Sequence, residues 1–102
     1  MDELVVRAPV FLGTDSRDAF YDEALERLTA LAEMSPQGGG RLVVDLSRTT
    51  AIDSKGLSSL VMLQLRAAER RLTIGLRGAS EEVRFLLLMT RLEDRFDIES
   101  QP

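Results

Sequence analysis

The chain of 102 residues contains no cysteine, no histidine and no tryptophan. The first absence removes disulfides and thiolate chemistry, the second removes imidazole bases, and together they remove the usual transition-metal ligands. Catalysis would fall to carboxylates, hydroxyls, lysine or arginine, and neither a metal nor a cofactor is expected. Positive charge is also short. Thirteen basic residues stand against 17 acidic ones, interspersed along the chain, for a formal net charge of -4. No face is built to neutralise phosphates, so nucleic acid is not an expected partner. Nor does any apolar run approach the roughly 18 residues that a bilayer span requires. Asp2 and Glu3 stand where a secretory signal carries positive charge. The expected location is therefore the cytoplasm, with no membrane insertion.

What is present is the material of a folded domain: 44% hydrophobic and 29% charged residues. A chain of this length suits one domain with one core, spanning 1–102. Leu4-Val5-Val6-Arg7-Ala8 is a β-branched run closed by Pro9, which suits a strand end or a sheet edge. Val10-Phe11-Leu12-Gly13 reads as a further short strand with a turn glycine. Thr14, Asp15 and Ser16 offer N-cap side chains ahead of a helix near Ser16–Glu33, where Phe20, Ala24, Leu28, Leu31 and Ala32 recur at helical spacing. Pro36 and Gly38-Gly39-Gly40 end it. Those glycines precede a strand and no Gly-Lys-Ser/Thr follows, so they read as a linker and not as a phosphate cradle.

Arg41-Leu42-Val43-Val44-Asp45-Leu46 is continuous and aliphatic before its acid, the pattern of a central strand covered on both faces. A loop through Asp53 leads to a helix near Ser54–Arg70, with Leu57, Leu60, Val61, Gln64, Leu65 and Ala68 assigned to its inward stripe. Leu72–Leu76 is another buried-type strand. Ser80 is a candidate N-cap for a helix to Met89, with Val83, Leu86 and Leu87 inward, and Phe96-Asp97-Ile98 suits a last short strand. Alternating strands and helices imply parallel crossovers: an α/β domain, a mixed, mostly parallel sheet with amphipathic helices packed on it.

Partner sites of open α/β sheets lie beyond the carboxyl ends of strands, and the loop into Asp53-Ser54-Lys55-Gly56-Leu57 occupies such a place. At a helix start, unsatisfied backbone N–H groups and the dipole favour an anion, so a phosphate on Ser54 is expected to be held at little internal cost. Gly56 is expected to leave the backbone open to a partner, with any side chain there projecting from the contact surface. The same local pattern also fits a plain capping serine and a turn glycine. Catalysis by Ser54 would need a base, and Lys55 is the only basic neighbour. Asp45 reads as a strand-end carboxylate bonding the loop backbone.

The run from Leu42 to Leu57, with Asp-Leu closing a strand and Asp53-Ser54-Lys55-Gly56-Leu57 opening a helix, closely resembles the signature of the STAS family, the domain of bacterial anti-sigma factor antagonists. The resemblance continues through the strand Leu72–Leu76, the helix from Ser80, and the tail Leu88-Met89-Thr90-Arg91-Leu92 to Phe96-Asp97-Ile98. It implies a STAS-like fold. It also implies that Ser54 is the serine a partner kinase phosphorylates, flanked by Asp53, Lys55, Gly56 and Leu57, with Asp15 matching the acid of an N-terminal motif. Lys55 stands where the family favours a small residue, Arg91 where it favours glycine, and Gly13-Thr14-Asp15 is one residue shorter than its counterpart.

The implied function is a partner switch without enzymatic activity. Unphosphorylated, the domain would bind an anti-sigma factor that is also a serine protein kinase, and release what that kinase sequesters. Phosphorylation of Ser54 would switch the domain off, with a phosphatase to reverse it. The alternative within the family is a non-phosphorylated accessory subunit docking on the ATPase of a membrane lipid transport system. An enzyme of unknown type is the remaining possibility.

Overall fold

The computed structural model describes residues 1–99. Four strands form one sheet in the order β1 (Glu3–Arg7), β3 (Arg41–Asp45), β5 (Thr73–Arg77), β6 (Asp97–Ile98). Two shorter strands, β2 (Phe11–Leu12) and β4 (Ala51–Ile52), pair separately. The expected α/β architecture is present, and every strand pairing among the described residues is parallel. β3 lies between β1 and β5, in the interior of the sheet as its aliphatic run predicts. β4 falls in a stretch read from the sequence as loop, because a two-residue strand carries no period.

The core lies on one face of the sheet, where Val6, Leu42, Val44, Leu46, Ile74 and Leu76 meet helices α1 (Arg17–Met34), α2 (Ser54–Glu69) and α3 (Glu81–Met89). α1 buries Phe20, Ala24, Leu28 and Leu31, the stripe its periodicity specifies. At α2 the inward stripe is corrected. The helix buries Gly56, Ser59, Leu60, Leu63 and Ala67, while Leu65 and Ala68 are exposed. Three of those five inward residues are small, so the helix axis approaches closely; Leu60 is inward as expected, and a count of large apolar residues misplaces Leu65 and Ala68. No helix among the described residues is long and apolar enough to cross a membrane.

On the other face, over Gly75, lies a cluster of charged side chains. Arg41 is 9% exposed and reaches Glu3, Asp97 and Glu99, and Arg77 joins Glu99 at 2.8 Å and Glu3 at 3.2 Å. The Arg41 guanidinium lies where a Cβ on Gly75 would be, so glycine at that register position makes room for it. Val43, the register partner of Gly75, is fully buried. The covering of β3 on both faces is thus by helices on one side and by long side chains on the other.

α2 and α3 end alike. Leu72 N–H bonds Ala67 C=O and Arg71 N–H bonds Ala68 C=O; Leu92 and Arg91 repeat the pattern on Leu87 and Leu88. These are Schellman motifs, whose following residue is left-handed and normally glycine. Here arginine fills both positions, Arg71 and Arg91 each having φ 59°. The glycine that the family pattern favours at position 91 therefore has a conformational reason.

Hydrogen bonds from Arg77, and then from Arg41, hold the Glu99 carboxyl below its ordinary value of 4.5. A group depressed in the folded state stabilises the fold above its unfolded pKa, and that contribution is lost as pH falls through the folded one. Arg41→Gln removes a buried guanidinium shared by Glu3, Asp97 and Glu99 and is expected to cost roughly 1–3 kcal/mol at neutral pH. The gap from wild type should narrow below pH 4.5 as Glu99 protonates. Urea titrations of both proteins across that range check it; a gap independent of pH would remove Glu99 from the account.

Candidate functional site

β2 and β4 bring together two segments that are far apart in sequence. Their parallel register pairs Phe11 with Ala51 and Leu12 with Ile52, and Asp53 N–H extends the ladder to Leu12 C=O at 3.1 Å. The strand entering α2 is thereby fixed against the loop entering α1. Ser16 occupies the cap position of α1, but its hydroxyl turns backward, donating to Phe11 C=O at 2.6 Å and accepting from Gly13 N–H at 3.1 Å. Of the three candidate caps for α1, none caps it by side chain.

Asp53 is the residue on which both segments converge. Its Oδ1 accepts from Lys55 N–H and Gly56 N–H at 2.9 Å each, which makes it the N-cap of α2. Its Oδ2 accepts from Thr14 N–H at 3.0 Å and Thr14 Oγ1 at 3.2 Å. These donors, Gly56 N–H first and then Thr14 N–H, pull the carboxyl below its ordinary value of 3.8. A Cβ on Gly13 would lie 2.5 Å from Oδ2, so glycine there permits the approach. Thr14 is a site residue that sequence reasoning missed: its partner is 39 residues away, and nothing local marks it.

Ser54 is the first helical residue, exposed, and its hydroxyl has no hydrogen-bond partner among the described residues. One expectation is corrected here. Of the helix-start N–H groups expected to be open to an anion on Ser54, those of Lys55 and Gly56 are already taken by Asp53. A phosphate would meet a carboxylate at close range instead of open donors.

Lys55 is exposed, Leu57 is half-buried, and Asp15 lies exposed in the loop one residue beyond Thr14. Gly56 is the second correction. It is buried, facing inward, and an added Cβ would overlap the Leu12 carbonyl, 2.7 Å from its carbon. It serves the packing of α2 on β2 and presents no surface to a partner. The neighbouring serines differ: Ser59 is fully buried and bonds Gly56 C=O at 2.6 Å, while Ser58 is exposed and bonds Ser54 C=O at 2.9 Å. Asp45 accepts from Ser47 N–H at 2.9 Å, the strand-end role expected of it.

Because α2 turns Gly56, Ser59 and Ala67 inward beside Leu60 and Leu63, several of its other large residues lie toward the surface. Leu57, Val61 and Met62 line a groove of about 560 Å³ that begins at Ser54 and is closed by Leu92. Ser54 thus lines an apolar trough and directly follows Asp53, the carboxylate that holds Thr14. The groove is open and largely apolar, and both oxygens of the adjacent Asp53 carboxylate are engaged by donors of its own chain.

A family model described as "Mlab, STAS domain" matches residues 12–99. No curated protein matches the chain by sequence. Among solved structures, a proposed anti-sigma factor antagonist from Thermotoga maritima is similar with a TM-score of 0.77 at 20% identity, over 95% of this chain and 80% of that one. A sulfate transporter family protein from Wolinella succinogenes is similar with a TM-score of 0.64 at 20% identity, over 95% and 76% of the two chains. At that identity the structural likenesses establish the fold.

Gly56→Ala is expected to lower the unfolding free energy by about 1–3 kcal/mol, the usual cost of overpacking, because backbone must move to admit the methyl group. Urea denaturation measures it. A variant of native stability would show that β2 yields freely and that Gly56 has another purpose.

Proposed function

Because the chain belongs to the STAS domain family, whose model spans every residue of the Ser54 site, we propose that it is a partner-switching protein of the anti-sigma factor antagonist type, controlled by phosphorylation of Ser54. The observation that carries this reading is the placement of Ser54: an exposed, unpartnered hydroxyl at a helix start, between a capping carboxylate and an apolar groove. In the unmodified state the groove and the Ser54 turn bind an anti-sigma factor that is also a serine kinase. A phosphoryl group adds about -1.5 to -2 charges beside Asp53.

Asp53 already occupies the helix-end donors, so the domain offers that charge little internal compensation, and its repulsion falls on the interface. Mispairing a buried polar contact costs about 2–5 kcal/mol, which lowers affinity by roughly 30- to 5,000-fold. That range is wide enough for release of the partner. A phosphatase restores the binding state. The activity proposed is binding and not catalysis, since both oxygens of the adjacent Asp53 carboxylate are engaged by Thr14, Lys55 and Gly56.

A second reading has its own support, in the description of the matching family model and in the likeness to a transporter family protein. In it the same surface docks, unmodified, on the ATPase of a membrane transport system, and Ser54 is a contact residue only.

Capture from the source cell with wild type and Ser54→Asp as baits separates the two. A serine kinase retained by wild type and lost with Ser54→Asp supports the switch. Intact mass after incubation with that kinase and ATP should then show one phosphate on wild type and none on Ser54→Ala. Equal incorporation in both would sink the assignment of Ser54, whereas a transport ATPase held equally by both baits supports the docking subunit.

A further inference from the structure

Met62 stands where two grooves along α2 meet. It lines the one that begins at Ser54 and also a cleft of about 310 Å³ between α1 and α2, beside Tyr21 and Leu25. Met62 is 42% exposed, so a small solute reaches its side chain. A guanidinium meets it from α1: Arg17 Nη2 donates to Met62 Sδ at 3.9 Å. A thioether sulfur is a weak acceptor, and it gives this cation little.

Arg17 is poorly served by its own chain. Its Nε is buried without a hydrogen-bond partner, and among the described residues it is the one buried side-chain donor of which that is true. Its ion-pair partner, Asp18, lies 3.9 Å away and is 90% exposed, where water screens the attraction. Arg41 and Arg77 differ, since both meet carboxylates at hydrogen-bond distance. A buried donor left unpaired is rare enough in a native fold to call for an explanation. What this guanidinium lacks is a strong acceptor, and the one neutral side chain that it bonds is a residue that oxidation turns into one.

We propose that Met62 is a site of oxidation by hydrogen peroxide whose sulfoxide Arg17 holds. A lone pair of Sδ attacks one peroxide oxygen, and the O–O bond breaks as the S–O bond forms. The departing hydroxide takes the proton of the new S–OH group and leaves as water, so sulfur loses the two electrons that the peroxide gains. The sulfoxide oxygen is a polar acceptor one bond from the sulfur that Arg17 already reaches. A sulfoxide commonly disrupts the apolar packing in which it forms. Here a donor stands beside it, and the fold keeps it. The groove does not stay apolar, because Met62 is one of the large residues of its lining. If the groove is the partner surface, as proposed above, oxidation weakens docking without any charge on Ser54.

The experiment uses no partner, so its result is independent of whether the groove binds one. The chain carrying Met34→Leu and Met89→Leu, both exposed positions, is treated with hydrogen peroxide, and peptide mass locates the added oxygen. Met1, 93% exposed, oxidises alike in every variant and cancels. With Arg17 present, oxygen on Met62 should change the unfolding constant in urea by less than about threefold. In Arg17→Leu the same oxidation should raise it at least about tenfold more, the loss of one hydrogen bond of some 1.4 kcal/mol. Arg17→Lys should restore most of the difference. Should Arg17→Leu fail to fold, the Arg17 Nε resonance decides: it should shift when Met62 is oxidised, while that of the exposed Arg91 stays in place. No oxygen on Met62, equal losses with and without Arg17, or an Arg17 resonance that oxidation leaves unmoved each overturns the proposal.

Discussion

The site depends on a single carboxylate. Asp53 uses one oxygen to cap α2 and the other to hold Thr14, so the helix start and the loop before α1 share one anchor. The anchor works because the β2–β4 register brings the two segments side by side and because Gly13 leaves room beside Oδ2. Its strength comes from several donors converging on one charged acceptor, each bond stronger than its neutral counterpart. The same arrangement decides how a charge on Ser54 would be felt. With the helix-end donors occupied, a second anion gains nothing from them and repels the first.

The small residues of α2 form the second constraint. Gly56, Ser59 and Ala67 let the helix lie close to the sheet and to β2, and Gly56 approaches the Leu12 carbonyl within the reach of a methyl group. Close approach on one side leaves larger residues over on the other. Leu57, Val61 and Met62 therefore line the groove that starts at Ser54. Core packing and outer groove are two consequences of one distribution of side-chain size around the helix.

Charge covers what helices leave open. Arg41 and Arg77, with Glu3, Asp97 and Glu99, lie across the outer face of the sheet and hide Val43. The buried arginine is tolerated because several carboxylates surround it; alone, its burial would be strongly unfavourable. The outer face of α3, where Phe85, Leu88 and Met89 are exposed, has no such cover among the described residues.

Much of this was legible in the residues themselves. The stripe of α1 follows from 3.6-residue periodicity, the interior place of β3 from its unbroken aliphatic run, and the Ser80 cap of α3 from a serine three residues before Val83, whose N–H it accepts at 3.2 Å. The signature from Leu42 to Leu57 pointed to the candidate site. Three things were decided only by tertiary structure. The inward face of α2 depends on how near the sheet lies, so glycine, serine and alanine outrank leucine there. Gly56 turned inward because the Leu12 carbonyl, 44 positions earlier in the chain, occupies the space a side chain would need. Asp53 took the helix-end donors and Thr14 together because parallel pairing of two-residue strands aligned them. Local sequence fixes periodicity and caps through short-range sterics and hydrogen bonds; which atoms meet across 39 residues is a property of the packed chain alone.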